Sequence, residues 1–420
     1  MAGWKDKRVM AWAFYDWANS AFATTVLAGF FPVFFKQYWG ADLAATESTF
    51  WLGAAGSFAA LIVALSAPAM GAIADAGGRR KGFLASFATL GILSTAALFW
   101  LAQGAWELAA LLYVLGTIGF AGGNVFYDAM LLDVAEPKDY ERVSTLGYSL
   151  GYLGGGLLFV GQVLATQKPE WFGLESAAEG VRWAFLTCAL WWAVFTVPLL
   201  KWVQEAKVPS PISLMAATKA GFAELVHTFK EIRQLKPLLM FLLAYWLYID
   251  GVHTVIKMAV DYGLSLGFPS SSLIMALLIT QFVGFPAALA YGPLASRFGT
   301  KNMMMFAIMI YIGVSVLGTQ ISSVMHFYIM AAVIGLAQGG IQALSRAYYG
   351  RFVPAGRGAE FYGFFNMLGK FASVIGPVLV GFVTLSTGSQ RYGILSISIL
   401  LVAGLLILRR VPEPSASASS

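Results

Sequence analysis

Charged side chains occur inside stretches of the sequence that are otherwise apolar for about 20 residues, the length that crosses a membrane. The clearest examples are Asp16, Asp128, Asp250 and Lys370. A charge in the middle of a hydrocarbon layer costs on the order of 3 kcal/mol or more, so such residues usually face a cavity or a proton path. Carboxylates and an ammonium group at these depths indicate a site that binds a small charged solute or exchanges protons.

Further polar residues share helix faces with these charges, because side chains three or four positions apart lie on one side of an α-helix. The resulting stripes contain Tyr15, Asp16 and Asn19; Asn124, Tyr127 and Asp128; Asp250 and His253; Gln338, Gln342 and Arg346; and Asn366 and Lys370. We predict that these residues bind a substrate or couple its movement to protons. Arg346 lies close to a predicted helix end, so a role in gating is an equal alternative.

Each of these residues also has a purely structural interpretation. Asp16 and Asp128 can neutralise neighbouring basic loops, and His253 can form a hydrogen bond between helices. Asp250 and Lys370 can form a buried ion pair that has no contact with a substrate. The sequence alone leaves these alternatives open.

The composition indicates the elements that position these residues. The chain of 420 residues is 59% hydrophobic and only 11% charged, against roughly 25% charged in a typical soluble domain. We predict an all-α membrane protein with twelve transmembrane helices. The predicted segments are 9–35, 50–74, 82–102, 108–134, 146–166, 182–202, 237–261, 270–296, 302–320, 326–349, 361–384 and 391–409.

The distribution of basic residues predicts the orientation. With both termini in the cytoplasm, 21 of the 27 Lys and Arg residues fall on the cytoplasmic side and five on the outer side, with Lys370 inside a helix. This bias agrees with the positive-inside rule. We expect a monomer embedded in the lipid bilayer, in a bacterial inner membrane. The net charge of +6 is explained by topology, so we expect no nucleic acid partner.

One long connection divides the chain into two halves. We predict a six-helix half at 1–202, a cytoplasmic linker with an amphipathic surface helix at 203–236, a second six-helix half at 237–410, and a disordered tail at 411–420. The linker contains three prolines near its start and several basic residues.

Two short basic loops repeat each other 221 positions apart. In this repeat, Gly71 matches Gly292, Gly78 matches Gly299, and Arg80 matches Lys301. An acid at such a helix end can pair with a neighbouring basic residue in one conformation and release it in another, which is how a gate works. We predict that the gating residues are Asp75, Arg79, Arg80, Arg297 and Arg346. A basic loop that only anchors the chain to lipid head groups is the alternative.

The duplicated halves and basic loops make the whole chain resemble the major facilitator superfamily. Four segments, 15–22 (YDWANSAF), 250–256 (DGVHTVI), 339–346 (GGIQALSR) and 360–370 (EFYGFFNMLGK), are similar to the branch of autophagy-linked vacuolar amino-acid effluxers and their bacterial relatives. The resemblance implies two pseudo-symmetric halves and a central cavity lined by the first, fourth, seventh and tenth helices. It also implies efflux of amino acids.

We therefore predict a secondary active transporter that moves a small polar solute, an amino acid or short peptide, by alternating access between the two halves. Protons are the candidate coupling ion, because buried acidic groups and histidine can exchange them. A lipid or drug exporter of the same fold and a membrane sensor without transport activity remain as alternatives.

Other chemistries find little support in the sequence. The single cysteine and three scattered histidines offer no ligand set for a metal, and we expect no cofactor. Residues 363–371 are similar to a phosphate-binding loop but have an extra residue and lack Ser or Thr after the lysine. With no nucleophile–base pair at a suitable spacing, we expect no enzymatic activity.

Overall fold

The computed structural model describes residues 6–205, 218, 227–228, 230–372 and 374–412. Within these residues, twelve helical spans are long and apolar enough to cross a membrane, and we name them α1 to α12 in chain order. They are Lys7–Trp39, Thr46–Gly77, Arg80–Trp100, Trp106–Val134, Pro137–Gln167, Ala177–Trp202, Lys236–Ala259, Ser271–Phe298, Thr300–Gly318, Val324–Gly350, Gly358–Thr387 and Gln390–Arg410. The predicted number and order of spans are confirmed.

The largest difference in bounds is at α5, which begins at Pro137 rather than at residue 146. Its first turns contain polar residues such as Glu141, Arg142 and Ser144, so the apolar pattern begins after the helix does. The helix therefore extends beyond the apolar segment that the sequence pattern detects.

Two spans depart from a regular α-helix. Span α1 contains π-helical stretches at Ala23–Gly29 and Phe35–Trp39. Span α11 consists of two α-helices, Gly358–Phe371 and Ile375–Thr387. Irregular helix geometry of this kind in a membrane protein is frequently found at functional sites. The apolar pattern of the sequence indicates neither irregularity.

The two six-helix halves, α1–α6 and α7–α12, meet along α2 with α11 and along α5 with α8. Gly71 on α2 lies against the backbone of Ala359 on α11, and Gly292 on α8 lies against Thr145 on α5. A methyl group added at either glycine would overlap those neighbours. The missing side chains therefore allow the two halves to approach closely.

We name the side of the bundle where α1 begins and α12 ends the terminal face. Contacts between span ends define it: Lys7 lies 4.1 Å from the Trp202 ring, and the Lys81 ammonium donates to the Val203 carbonyl at 2.8 Å. Likewise, the Lys301 ammonium donates to the carbonyl of Val411 at 3.0 Å. The other side of the bundle is named the opposite face.

Most of the predicted linker helix lies outside the described residues, as does the predicted disordered tail beyond residue 412. The described part at 230–234 is helical and contacts the turn before α11. There, Arg357 Nη1 lies 2.6 Å from Glu231 Oε2, and Arg357 Nε lies 3.0 Å from Glu360 Oε2. Burial lowers the pKa of Arg357, but the bonds to Glu360 and Glu231 outweigh it and leave that pKa above its ordinary value.

Candidate functional site

Arg346 on α10 is the centre of a buried charge cluster that joins the two halves. Its Nη1 lies 2.9 Å from Asp128 Oδ1 on α4, and its Nη2 lies 3.9 Å from Asp16 Oδ2 on α1. Only 2% of the Arg346 surface is exposed, and both carboxylates are buried. We name these three residues the charge triad.

The rest of the guanidinium is also engaged by residues of the N-terminal half. Arg346 donates from Nε to Ser144 Oγ at 2.9 Å and from Nη2 to the Ser144 carbonyl at 3.0 Å. The rings of Trp12, Tyr127 and Tyr148 lie 4.8, 5.1 and 4.6 Å from the guanidinium carbon. Aromatic faces attract a cation, and they replace part of the water that burial removes.

The two carboxylates of the triad have further donors. Asp16 accepts from the Tyr127 hydroxyl at 3.1 Å and from the Ser20 hydroxyl at 3.2 Å. Asp128 accepts from Asn366 Nδ2 on α11 at 3.0 Å. When ionised, the triad has two negative charges and one positive charge, so one carboxylate remains electrically uncompensated. Such an arrangement suits the binding of a proton or of a cationic group.

Lys370 on α11 lies one turn beyond Asn366 and is partly exposed. Among the residues that the structure describes, none forms a hydrogen bond or an ion pair with its ammonium group. The carboxylate that attracts it is Asp128. Lys370 thus presents an ammonium group beside the charge triad that is available to an anionic ligand.

Other predicted site residues surround this region. Asn19 donates from Nδ2 to Asn124 Oδ1 at 2.6 Å, and the Tyr15 ring lies 5.1 Å from the Tyr127 ring. His253, Gln338 and Gln342 are partly exposed on α7 and α10. Contacts between described residues thus join polar side chains of α1, α4, α10 and α11, whereas Gln338 and Gln342 form no hydrogen bond or ion pair with them in the described part of the chain.

Asp250 has a different environment from the one expected. Its carboxylate accepts from the backbone N–H groups of Ile375 at 3.1 Å and Gly376 at 2.9 Å, and from Thr254 Oγ1 at 3.2 Å. It is 1% exposed and caps the second helix of α11, Ile375–Thr387. A capping carboxylate stabilises the positive end of a helix. These contacts give Asp250 a structural role in the span that contains Lys370, and no contact with Lys370 itself is observed.

At the terminal face, Asp75 joins three helix ends. Its Oδ1 lies 2.6 Å from Arg80 Nε, and its two oxygens accept from the backbone N–H groups of Ala359 at 3.2 Å and Glu360 at 2.9 Å. Arg80 also lies 3.0 Å from Asp133 Oδ2. We name this group the α2–α11 clasp.

The other predicted gating residues have different positions. Arg79 and Arg297 are exposed, and Arg297 lies 5.2 Å from the Phe298 ring. Neither contributes an ion pair to the clasp within the described part of the chain. Arg346 belongs to the charge triad, deeper than the clasp.

The sequence interpretation missed the polar face of α5. Glu141 accepts from Thr300 Oγ1 at 2.8 Å and lies 2.6 Å from Arg351 Nη2, while Ser144 and Tyr148 contact Arg346. Glu141, Ser144 and Tyr148 are spaced by three and four, so the helical periodicity was visible in the sequence. They lie before or at the start of the apolar segment 146–166, so the apolar pattern does not mark them as part of a helix.

Comparison with protein families gives a match over most of the chain. The family model described as vacuole effluxer Atg22 like matches residues 44–419. YxiO of Bacillus subtilis (strain 168), described as an uncharacterized MFS-type transporter, is 39% identical over 414 residues, covering 98% of this chain and 96% of that protein. Autophagy-related protein 22 of Coccidioides immitis (strain RS) is 24% identical, covering 96% of this chain and 86% of that protein.

Solved structures give the same fold. The human organic anion transporter MFSD10 superposes with a TM-score of 0.73 at 17% identity, covering 96% of this chain and 99% of that one. The fucose:proton symporter FucP of Escherichia coli superposes with a TM-score of 0.69 at 13% identity, covering 97% and 98%. The predicted major facilitator fold is thereby confirmed.

Proposed function

We propose a substrate class, a coupling ion and a direction for this chain, which belongs to the Atg22-like family of major facilitator transporters. It is a membrane-embedded secondary transporter and not an enzyme. The observation that carries the proposal is the charge triad, in which Arg346 of the C-terminal half binds carboxylates of the N-terminal half. Beside it lies Lys370, which has no ion pair within the described residues.

The substrate that fits this region is a small zwitterion or anion, such as an amino acid or short peptide. Lys370 offers an ammonium group to a substrate carboxylate, and Asn366 adds an amide one turn away. The uncompensated negative charge of the triad offers a place for a substrate ammonium group. The match to the family described as vacuole effluxer Atg22 like supports efflux, and the resemblance of the sequence to amino-acid effluxers favours an amino acid.

Protons are the proposed coupling ion. Arg346 compensates only one of the carboxylates of Asp16 and Asp128, so a proton on the other neutralises the triad. Protonation weakens the attraction that holds the halves together, because Arg346 then has one carboxylate partner instead of two. Substrate binding and proton release are linked through this shared charge.

The proposed orientation places the terminal face in the cytoplasm of a bacterial inner membrane, with both termini inside. The excess of Lys and Arg on that side supports it. The structure then represents a form in which the cytoplasmic side is closed by the α2–α11 clasp and the contacts of Glu141. Export is the proposed direction, and a monomer is the proposed transporting unit.

The substrate proposal is tested with Lys370→Ala, using Lys168→Ala on the opposite face as a control for loss of one exposed lysine. Loss of a charge-assisted bond of about 1.5–3 kcal/mol predicts a roughly 10- to 100-fold loss of affinity. Binding is measured as the thermal shift of purified protein with L-amino acids and dipeptides, and transport in proteoliposomes. Lys370→Arg should restore little, because a planar guanidinium differs from a compact ammonium.

The unliganded melting temperature separates a ligand role from a structural one. We expect Lys370→Ala to fold normally. If it instead misfolds, and Asp128→Asn in the same chain restores folding and transport, Lys370 is a structural ion-pair member and the substrate assignment is wrong.

The coupling proposal is tested with Asp16→Asn, which leaves Arg346 paired with Asp128. We expect pH-driven transport in proteoliposomes to fall at least tenfold, while exchange of substrate across the membrane without a pH gradient continues. Ser20→Ala, which removes only one donor to the same carboxylate, serves as the control. Unchanged pH-driven transport in Asp16→Asn would contradict a role for the triad in proton coupling.

A further inference from the structure

A second lysine, Lys257, lies on the face of α7 that meets α11. It follows His253 by four positions and Asp250 by seven, so the three lie on one face of α7. Asp250 on that face contacts α11, which fixes the direction of the stripe. Lys257 is exposed, nearer the opposite face than Lys370 is.

The two lysines have no direct partner among the residues that the structure describes. Within the described residues, neither lysine has a hydrogen bond or an ion pair. The carboxylate that attracts Lys257 is Asp250, which already accepts two hydrogen bonds from α11 and one from Thr254 of α7. The Lys257 charge acts unfavourably on that of Lys370, and both act on His253, which lies in the same stripe.

The remaining carboxylates of this region are also engaged. Asp16 and Asp128 contact Arg346, Tyr127 and Asn366 at the base of the site. Helices α7 and α11 therefore each contribute one lysine that has no hydrogen bond or ion pair within the described residues. A single substrate carboxylate at Lys370 leaves Lys257 without a partner, whereas a second anionic group on the substrate compensates both.

We propose that Lys257 forms a second anion subsite and that the preferred substrate carries two carboxylates, as an acidic amino acid does. The inference rests on the proposed function, in which Lys370 binds the first carboxylate. A basic group that only contacts lipid head groups or solvent at the membrane boundary is the competing explanation, and Lys36 offers a matched control. Lys36 is likewise an exposed lysine near the opposite face, at the end of α1.

The experiment compares ligands of equal shape that differ in the second carboxylate. Binding of L-glutamate against L-glutamine, and of succinate against succinamate, is measured by thermal shift and by competition in proteoliposomes for wild type, Lys257→Gln and Lys36→Gln. We expect wild type to prefer each dicarboxylate by at least tenfold. Lys257→Gln should reduce that preference to less than twofold, and Lys36→Gln should leave it unchanged.

The outcomes separate this inference from the proposed function. If the wild type binds the two members of each pair equally, or if Lys257→Gln keeps the preference, the subsite is wrong although amino-acid transport stands. If succinate is preferred over succinamate through Lys257 but no amino acid binds, the subsite stands and the amino-acid assignment fails. If Lys36→Gln lowers the preference as much as Lys257→Gln does, the effect is general attraction by the opposite face, and the subsite is overturned.

Discussion

The turn between α2 and α3 and the turn between α8 and α9 have matching glycines but make different contacts with the other half of the molecule. Gly71 lies against Ala359 of α11, and Gly292 lies against Thr145 of α5. In both, the missing side chain lets a helix of one half reach the beginning of a helix of the other. The close approach of the two halves at a glycine is therefore repeated.

The polar chemistry of the two turns is not repeated. Asp75 pairs with Arg80 and accepts backbone N–H groups of α11. Its counterpart Ser296 donates to the Gly292 carbonyl within its own helix at 3.1 Å. At this second contact the acid comes from the other half: Glu141 of α5 binds Thr300 and Arg351. The duplicated fold thus keeps the close helix approach at both contacts, although α2 supplies the acidic residue at the first contact and α5 supplies it at the second.

The largest expected effect comes from the glycines themselves. Gly71→Ala places a methyl group in overlap with the backbone oxygen of Ala359, whereas Gly292→Ala meets the Thr145 hydroxyl at 2.5 Å and the nearest backbone atom, of Arg142, only at 3.2 Å. We expect Gly71→Ala to lower transport at least tenfold and Gly292→Ala by only a few-fold, because overpacking costs about 1–3 kcal/mol where neighbours cannot move.

Spin labels at the exposed positions Arg79→Cys and Arg297→Cys, in a Cys188→Ser background, report the separation of the halves at the terminal face. The separation should increase in Gly71→Ala and change little in Gly292→Ala. Equal effects of the two substitutions on this distance would remove the distinction between the two contacts.

A smaller effect is expected from the polar groups. Asp75→Asn removes a charge that binds both Arg80 and the start of α11, so we expect a shift towards the form open at the terminal face and a slower turnover, by roughly tenfold for a loss near 1.5 kcal/mol. Ser296→Ala removes a bond within one helix, and transport should stay within twofold of wild type. The same spin-label distances and proteoliposome assays measure both. Normal transport and an unchanged distance in Asp75→Asn would mean that the clasp only anchors the loop.

The sequence was sufficient for the parts of this comparison that depend on local pattern. The length of the apolar segments predicted twelve spans, and helical spacing grouped Asp16 with Asn19 and Asn366 with Lys370. It also singled out Asp75 at its helix end. These features follow from the hydrophobic thickness of a membrane and from 3.6 residues per turn.

Features that depend on which helices are neighbours were not predictable in this way. The stripe that contains Asp250 indicates one face of α7. Only the fold shows that this face meets the beginning of the second helix of α11, Ile375–Thr387. Arg346 and Asp128 are 218 positions apart, and their pairing requires α10 and α4 to meet across the two halves. The interruption of α11 lies in a continuous apolar segment, where hydropathy does not distinguish one helix from two.

The first helix of α11, Gly358–Phe371, has 14 residues and connects the terminal face with the region of the charge triad. Its first turn contributes the N–H groups of Ala359 and Glu360 to Asp75, and its last turn contains Lys370. The second helix of α11, Ile375–Thr387, is held separately by Asp250, so we expect the first helix to be able to move without it. We therefore expect that loss of the contact between Asp75 and the first turn changes the position of the Lys370 ammonium group. We expect the terminal face to open and the binding of an anion at Lys370 to weaken in the same movement.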